Sequence, residues 1–293
     1  MSDDARVFEA ERARLRSLGY RMLGSMADAD DVVQETWLRW ERLGVDGRRL
    51  VERPPAWFTT TASRLALDRL KSAQRQREQY VGPWLPEPVI TDGDPAESVE
   101  LAESITLGFL AVLERLGPVE RAVFLLADVF AEPFSSIAAV VGRSEEACRQ
   151  IASRARRRVR ADRPGTRPAP AHDDELLRSF LVACSLGDLD EFRKVLTDDV
   201  VLVSDGGRDV HAARRPVVGL HRVSRFLRVL ATRLPADAVM ELHTVNGEPG
   251  FVLLHHGWPR FVLALEADGD RVAAIRVIVN PEKLERIRAV PAL

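Results

Sequence analysis

The sequence predicts a multi-domain chain, two all-α domains followed by a C-terminal α+β domain, and three observations predict it. Apolar residues recur at helical spacing over residues 1–80 and 96–161. Residues 81–95, VGPWLPEPVITDGDP, carry four prolines and two glycines and read as an extended linker, as does the proline- and arginine-rich stretch 162–172. Within 173–293 the pattern changes from helical to strand periodicity. A length of 293 residues accommodates two or three domains, each with its own core.

The first domain reads as helices broken at Gly24-Ser25 and again from Gly44 to Gly47 with Pro54-Pro55. Asp28 is the expected N-cap of the second helix, with Asp30 and Asp31 in its first turn, where the macrodipole favours anions. Val33, Trp37 and Trp40 follow at helical spacing as a core stripe. Pro55 is a suitable first residue for the third helix, which carries Trp57 and Phe58 in its opening turn. Arg64, Lys71 and Arg75 lie on one face with Asp68 between them. Aromatics beside a basic stripe suit a separated nucleic-acid strand, because rings stack on bases while cations track phosphates.

Residues 96–161 begin with an acidic amphipathic segment and continue through LERLGPVERAVFLLADVF into FSSIAAVVGRSEEACRQIASRARRRVR at 134–160. The latter reads as a helix-turn-helix. Ala138 permits a close crossing, Gly142 takes the positive φ of the turn and Ser144 caps the second helix. Cys148 and Ile151 then point inward, leaving Arg149, Gln150, Ser153, Arg154 and Arg157 outward, side chains that reach base edges and phosphates. Beyond Asp173, helices over 173–186, 188–196 and 219–230 accompany four strands, AVMELHTVNG, FVLLHHGW, RFVLALEADG and RVAAIRVIVN, read as a curled antiparallel sheet around a core or pocket.

Composition narrows the function classes. With a net charge of −2, any affinity for nucleic acid must come from local patches, and arginine is indeed concentrated over 143–163. Cys148 and Cys184 lack ligand-like spacing, so no disulfide framework and no metal site are expected. The charged N-terminus lacks an apolar core and no later run is long enough to span a bilayer, so the expected location is cytoplasmic, without membrane partners. Asp205, His243, His255 and His256 could form an acid–base pair in a pocket, although strand alternation would send His255 and His256 to opposite faces.

RMLGSMADADDVVQETWLRW at 21–40, PPAWFTTTASRLALDRLK at 54–71 and the helix-turn-helix together resemble the extracytoplasmic-function sigma factors of bacterial RNA polymerase, in the family's domain order. The resemblance implies that Asp31, Val32, Gln34 and Glu35 grip the clamp coiled coil of the polymerase largest subunit. It implies that Trp57, Phe58, Arg64, Lys71 and Arg75 serve the −10 element and strand opening, and that the helix from Ser144, with Arg149, Gln150, Ser153, Arg154 and Arg157, enters the −35 major groove. The remainder resembles the subgroup carrying a fused, cone-shaped SnoaL-like domain, through WLPEP (Trp84, Leu85, Pro86, Glu87, Pro88), DGG (Asp205, Gly206, Gly207) and NPEKL (Asn280, Pro281, Glu282, Lys283, Leu284). Where that subgroup continues DGGGK, this chain has Arg208 and Asp209. In the subgroup the extra domain and its tail touch the linker and regulate in place of a separate anti-sigma protein. The expected function is therefore promoter recognition by an alternative sigma factor, with no cofactor and no catalysis. A second reading is a SnoaL-type enzyme or small-molecule sensor fused to a DNA-binding module, and the polymerase-binding helix is what separates the two.

Overall fold

A computed structural model describes residues 3–77, 80–91, 106–161, 174–208, 210 and 212–287. The chain forms two compact units, Met1–Gln79 with Leu110–Arg163 and Tyr80–Phe109 with Pro164–Leu293. The acidic segment expected from Ala96, the second linker, Asp209, the side chain of Arg75 and the C-terminal tail beyond Ile287 lie outside the described residues.

In the first unit, helices α1 (Asp3–Leu23), α2 (Met26–Arg42) and α4 (Pro54–Arg77) pack on one another, with the short α3 (Gly44–Arg49) after α2. Phe58, Ala62, Ala66 and Leu70 recur every fourth residue of α4 and are all buried, so one stripe of that helix supplies its share of the core. Gly19 allows α1 and α2 to cross closely, since a Cβ there would stand 3.0 Å from the Ala29 Cα. One sequence expectation is corrected. Ser25, not Asp28, caps α2, its Oγ accepting from the Asp28 N–H at 3.3 Å. The break expected from Gly44 to Gly47 separates α2 from α4, and within it Gly44 at φ +66° redirects the chain into the short α3.

The same unit holds α5 (Leu107–Leu113, from Leu110 onward), α6 (Pro118–Phe124), a π-helical turn (Leu125–Val129), α7 (Phe134–Val141) and α8 (Glu145–Ala161). The turn is closed by the Phe130 N–H donating to Leu125 O at 3.0 Å, so the apolar stretch after α6 ends in a bulge. Helix α4 packs along α6 and α7.

The second unit packs α9 (Asp174–Leu186), α10 (Leu189–Val195) and α11 (Leu220–Ala231) on a six-stranded sheet. Its strands are β1 (Leu196–Asp205), β2 (Val217–Val218), β3 (Val239–Val245), β4 (Glu248–His255), β5 (Trp258–Asp268) and β6 (Arg271–Ile278), with helix α12 (Pro281–Leu284) following. Spatial order is β2-β1-β6-β5-β4-β3. Phe180 and Phe192 from the helices meet Phe251, Leu263, Leu265 and Ile275 from the sheet in one core. The sheet is mixed, not antiparallel throughout, because β1 lies parallel to β6. β1 itself escaped the sequence reading: it opens with the polar TDD, which reads as a helix end, and only from Val200 onward does it alternate buried and less buried residues.

Candidate functional site

Three surfaces carry the residues singled out by the sequence. The first is the helix-turn-helix. Gly142 sits at φ +67° and ends α7, with its N–H donating to Ala138 O at 2.9 Å, and Ser144 Oγ accepts from the Ala147 N–H to start α8. Cys148, Ala152 and Ala155 are buried against the unit and Ile151 is half-buried, which turns Arg149, Gln150, Ser153, Arg154 and Arg157 to solvent. Glu145 holds Arg149 at 2.7 Å, and its guanidinium lies 5.2 Å over the Phe134 ring. Arg154 and Arg157 have no carboxylate partner among the described residues, so their charge is available to a phosphate or a guanine edge.

The second surface lies on the first helical module. Asp31 and Gln34 are exposed on α2, and Asp31 pairs with Arg69 at 3.0 Å. Glu35 lies between Arg39 and Arg42, and its bond to Arg39 is the chief cause of a carboxyl held below the ordinary range. Val32 is fully buried, so its side chain holds the helix in place and cannot touch a partner in this conformation. Phe58 is likewise fully buried, packed edge-on against Phe8, Trp40 and Trp57. Trp57, half-buried at the rim of that cluster, is the aromatic within reach of the surface. Arg64 and Lys71 are exposed, Lys71 paired with Asp68 at 3.0 Å and Arg64 donating to Ala139 O of α7 at 2.8 Å.

That last bond belongs to a seam between the two helical modules that sequence reasoning did not find. Arg121, 1% exposed, donates twice to Arg21 O, at 3.1 and 2.9 Å, and also binds Glu114. The same Glu114 binds Arg77, whose pKa burial pushes down. Arg14 bridges Thr59 and Glu132, at 2.7 and 2.6 Å, and both Arg14 and Arg21 lie over the Phe130 ring. Burial lowers Arg21 to about 10.

The third surface, wholly within the second unit, brings the three short motifs together. Asp205, fully buried at the end of β1, accepts from the Tyr80 hydroxyl at 2.5 Å, the Leu85 N–H at 2.8 Å, the Gly207 N–H at 3.1 Å and the Lys283 ammonium at 2.6 Å. Lys283 also donates to Leu85 O, and its ammonium lies 4.1 Å from the Trp84 ring centroid. Asn280 donates to the Tyr80 oxygen at 2.9 Å while its own side-chain oxygen caps α12 at the Glu282 N–H, with Pro281 as first residue. Both glycines of DGG are required: a Cβ at Gly206 would meet Val210 O at 2.3 Å, and one at Gly207, where φ is +64°, would meet Asn280 at 2.9 Å. Leu85, Pro86, Glu87, Pro88 and Leu284 are buried around this hub, and Arg208 is exposed. Beyond it the linker adds to the sheet edge, Asn246 N–H donating to Val89 O and Thr91 N–H to Thr244 O, both at 2.8 Å. Tyr80, assigned by sequence to the first domain, is thus part of the hub. Burial and then the Asp205 bond raise its pKa.

The proposed acid–base pair does not assemble. Asp205 on β1 and His243 on β3 are four strand spacings apart, roughly 19 Å along the sheet. His243 pairs with Glu241 at 3.2 Å, and His255 and His256 both face Asp237. A cavity of about 650 Å³ between α9, α11 and β3 is lined by Leu181, Cys184, Leu186, Arg228, Leu234 and Met240 among others, with no carboxylate or imidazole in its lining among the described residues. Burial pushes the Cys184 thiol up to about 12.

Comparison with known proteins matches the two helical modules to two family descriptions, Sigma-70 region 2 over residues 7–76 and Sigma-70, region 4 over residues 107–159. The ECF RNA polymerase sigma factor SigJ of Mycobacterium tuberculosis is 40% identical over 291 residues, covering 94% of this chain and 91% of the relative. The chain belongs to the extracytoplasmic-function sigma factors. A probable sigma factor of the same organism, SigI, is 34% identical over 286 residues, with 97% of this chain and 95% of the relative covered. The crystal structure of M. tuberculosis SigJ superposes with a TM-score of 0.77 at 38% identity, covering 95% of this chain and 97% of that one, so the likeness extends through the C-terminal α+β unit. This sigma factor therefore has regions 2 and 4, the parts that bind core polymerase and promoter DNA, followed by a C-terminal α+β domain that SigJ shares. It directs promoter recognition and transcription initiation. No helix among the described residues is long and apolar enough to cross a membrane.

Proposed function

We propose that the C-terminal domain of this sigma factor is a built-in brake, which restrains regions 2 and 4 by holding the linker between them, and that it does so without a separate anti-sigma protein and without chemistry of its own. The supporting observation is the Asp205 hub, a buried carboxylate whose donors come from the linker, from the DGG turn and from Lys283. The −10 and −35 elements lie about 25 base pairs apart, roughly 85 Å of duplex at about 3.4 Å per pair. Fully extended, the chain between Arg77 and Leu110 reaches roughly 110 Å, enough to span them. With Tyr80–Thr91 held on the C-terminal unit, and the Leu107 N–H bound there by Glu248 at 3.2 Å, most of that reach is withdrawn. The seam through Arg64, Glu114 and Arg121 then keeps regions 2 and 4 together.

Within this reading Asp31, Gln34 and Glu35 face the polymerase clamp, with Val32 supporting them from below. Trp57, Arg64, Lys71 and Arg75 serve the −10 element, with Phe58 as the buried base of Trp57. Ser144 and the outward residues of α8 serve the −35 element. The site of action is the cytoplasm, where the polymerase works. Spin labels at Glu41 and Ala161, both exposed, with Cys184 replaced, report the separation of regions 2 and 4. The full chain should give one short distance distribution, and Asp205→Ala should add a longer population in the presence of core polymerase. Identical distributions would refute the brake.

A further inference from the structure

Outside these surfaces, one cluster of ligand-type side chains has no role in promoter recognition. Asp237 lies in the loop between α11 and β3, His255 is the last residue of β4 and His256 begins the β4–β5 turn. Adjacent residues on a strand point to opposite faces, but His256 sits at φ +53° with Gly257 at +77°, the two positive φ values of a tight hairpin. That turn swings the second imidazole back beside the first, with ring centroids 4.0 Å apart. Asp237 then meets both rings, Oδ1 at 3.1 Å from His255 Nε2 and Oδ2 at 3.7 Å from His256 Nδ1, and all three ligand atoms lie within 4.8 Å of one another.

We propose that Asp237, His255 and His256 form a surface site for a divalent transition-metal ion of the zinc class. Two imidazole nitrogens and one carboxylate oxygen suit a borderline cation and are a poor set for magnesium or calcium, which take oxygen donors. Zinc bonds of about 2.0–2.1 Å in a tetrahedron place neighbouring ligand atoms roughly 3.3 Å apart. His255 Nε2 already lies 3.1 Å from Asp237 Oδ1, and rotation of the exposed His256 and Asp237 side chains brings the remaining separations, none above 4.8 Å, down to that spacing. His256 and Asp237 are 72% and 59% exposed in their side chains, which leaves the fourth position to water and gives the ion an open path. His255, 25% exposed, is the anchor. A bound ion would reinforce the Asp237–His255 hydrogen bond in tying the loop after α11 to the tip of the β4–β5 hairpin, and would reduce the motion of both.

The test is isothermal titration of the full-length, metal-free protein with zinc chloride, and separately with magnesium chloride. The proposal expects one equivalent of zinc with micromolar affinity, no saturable magnesium binding, and weak d–d absorption bands when cobalt(II) replaces zinc. His256→Ala and Asp237→Asn, both at exposed positions, should each weaken zinc by at least about 100-fold, the upper end of what loss of a mere second-sphere partner costs. Unchanged circular dichroism confirms that the variants fold. Absence of saturable zinc binding by the wild type overturns the proposal, as does binding that survives both substitutions, since the ion would then sit on other histidines such as His221 or His243.

Discussion

At the scale of single residues, the energetics concentrate in Asp205. A carboxylate without solvent must be satisfied within the protein, and removing one partner of such a buried pair typically costs about 3–5 kcal/mol. Tyr80 offers a pH handle on the same hub. Burial, then its bond to Asp205, raises its hydroxyl above the ordinary value of about 10, because the fold keeps the protonated form. Its contribution is therefore complete below about pH 10 and fades as pH climbs through the raised folded value. Alkaline unfolding followed by circular dichroism should show a step in the wild type that Tyr80→Phe shifts or removes, and superimposable curves would show that the phenol is not held as described. The sequence contained the letters of this hub but not its wiring. Asp205 and Lys283 are 78 positions apart, and Tyr80 and Asn280 are 200 apart, so no local rule connects them. Val32 and Phe58 show the opposite failure: each lies within a motif, yet each is turned inward by the helix that carries it.

At the scale of elements, legibility follows locality. The helix-turn-helix was readable because a positive-φ glycine, a serine cap and a 3.6-residue apolar period all lie within one short stretch. β1 was not, since its parallel pairing with β6 is decided far along the chain and its first residues are polar. The two histidines were misassigned to opposite faces for a related reason: a turn, not a strand, begins at His256. The exposed face of α8 supports a direct prediction. Replacing Arg154 or Arg157 with alanine should cost roughly 1–3 kcal/mol against the cognate −35 element if the residue reads a base, with little change on scrambled DNA. If it contacts phosphate, both affinities should fall alike and the salt dependence should flatten. Fluorescence anisotropy on the two duplexes at several salt concentrations distinguishes these outcomes, and an unchanged affinity for both would remove the residue from the interface.

At the scale of the whole molecule, the chain combines a promoter-reading pair of modules with a C-terminal α+β domain whose buried Asp205 binds their linker. Composition foretold the division into helical and mixed parts, since the change of period near Asp173 is a property of the sequence itself. It could not foretell that regions 2 and 4 would share one compact unit, because the seam is built from arginines such as Arg14, Arg64 and Arg121 that look, one at a time, like ordinary surface cations. Run-off transcription with core polymerase, comparing the full chain with Asp205→Ala and Lys283→Ala at matched polymerase occupancy, tests the brake most directly. Release of the linker should raise transcript yield several-fold in both variants, and yields equal to or below that of the unaltered chain would contradict it.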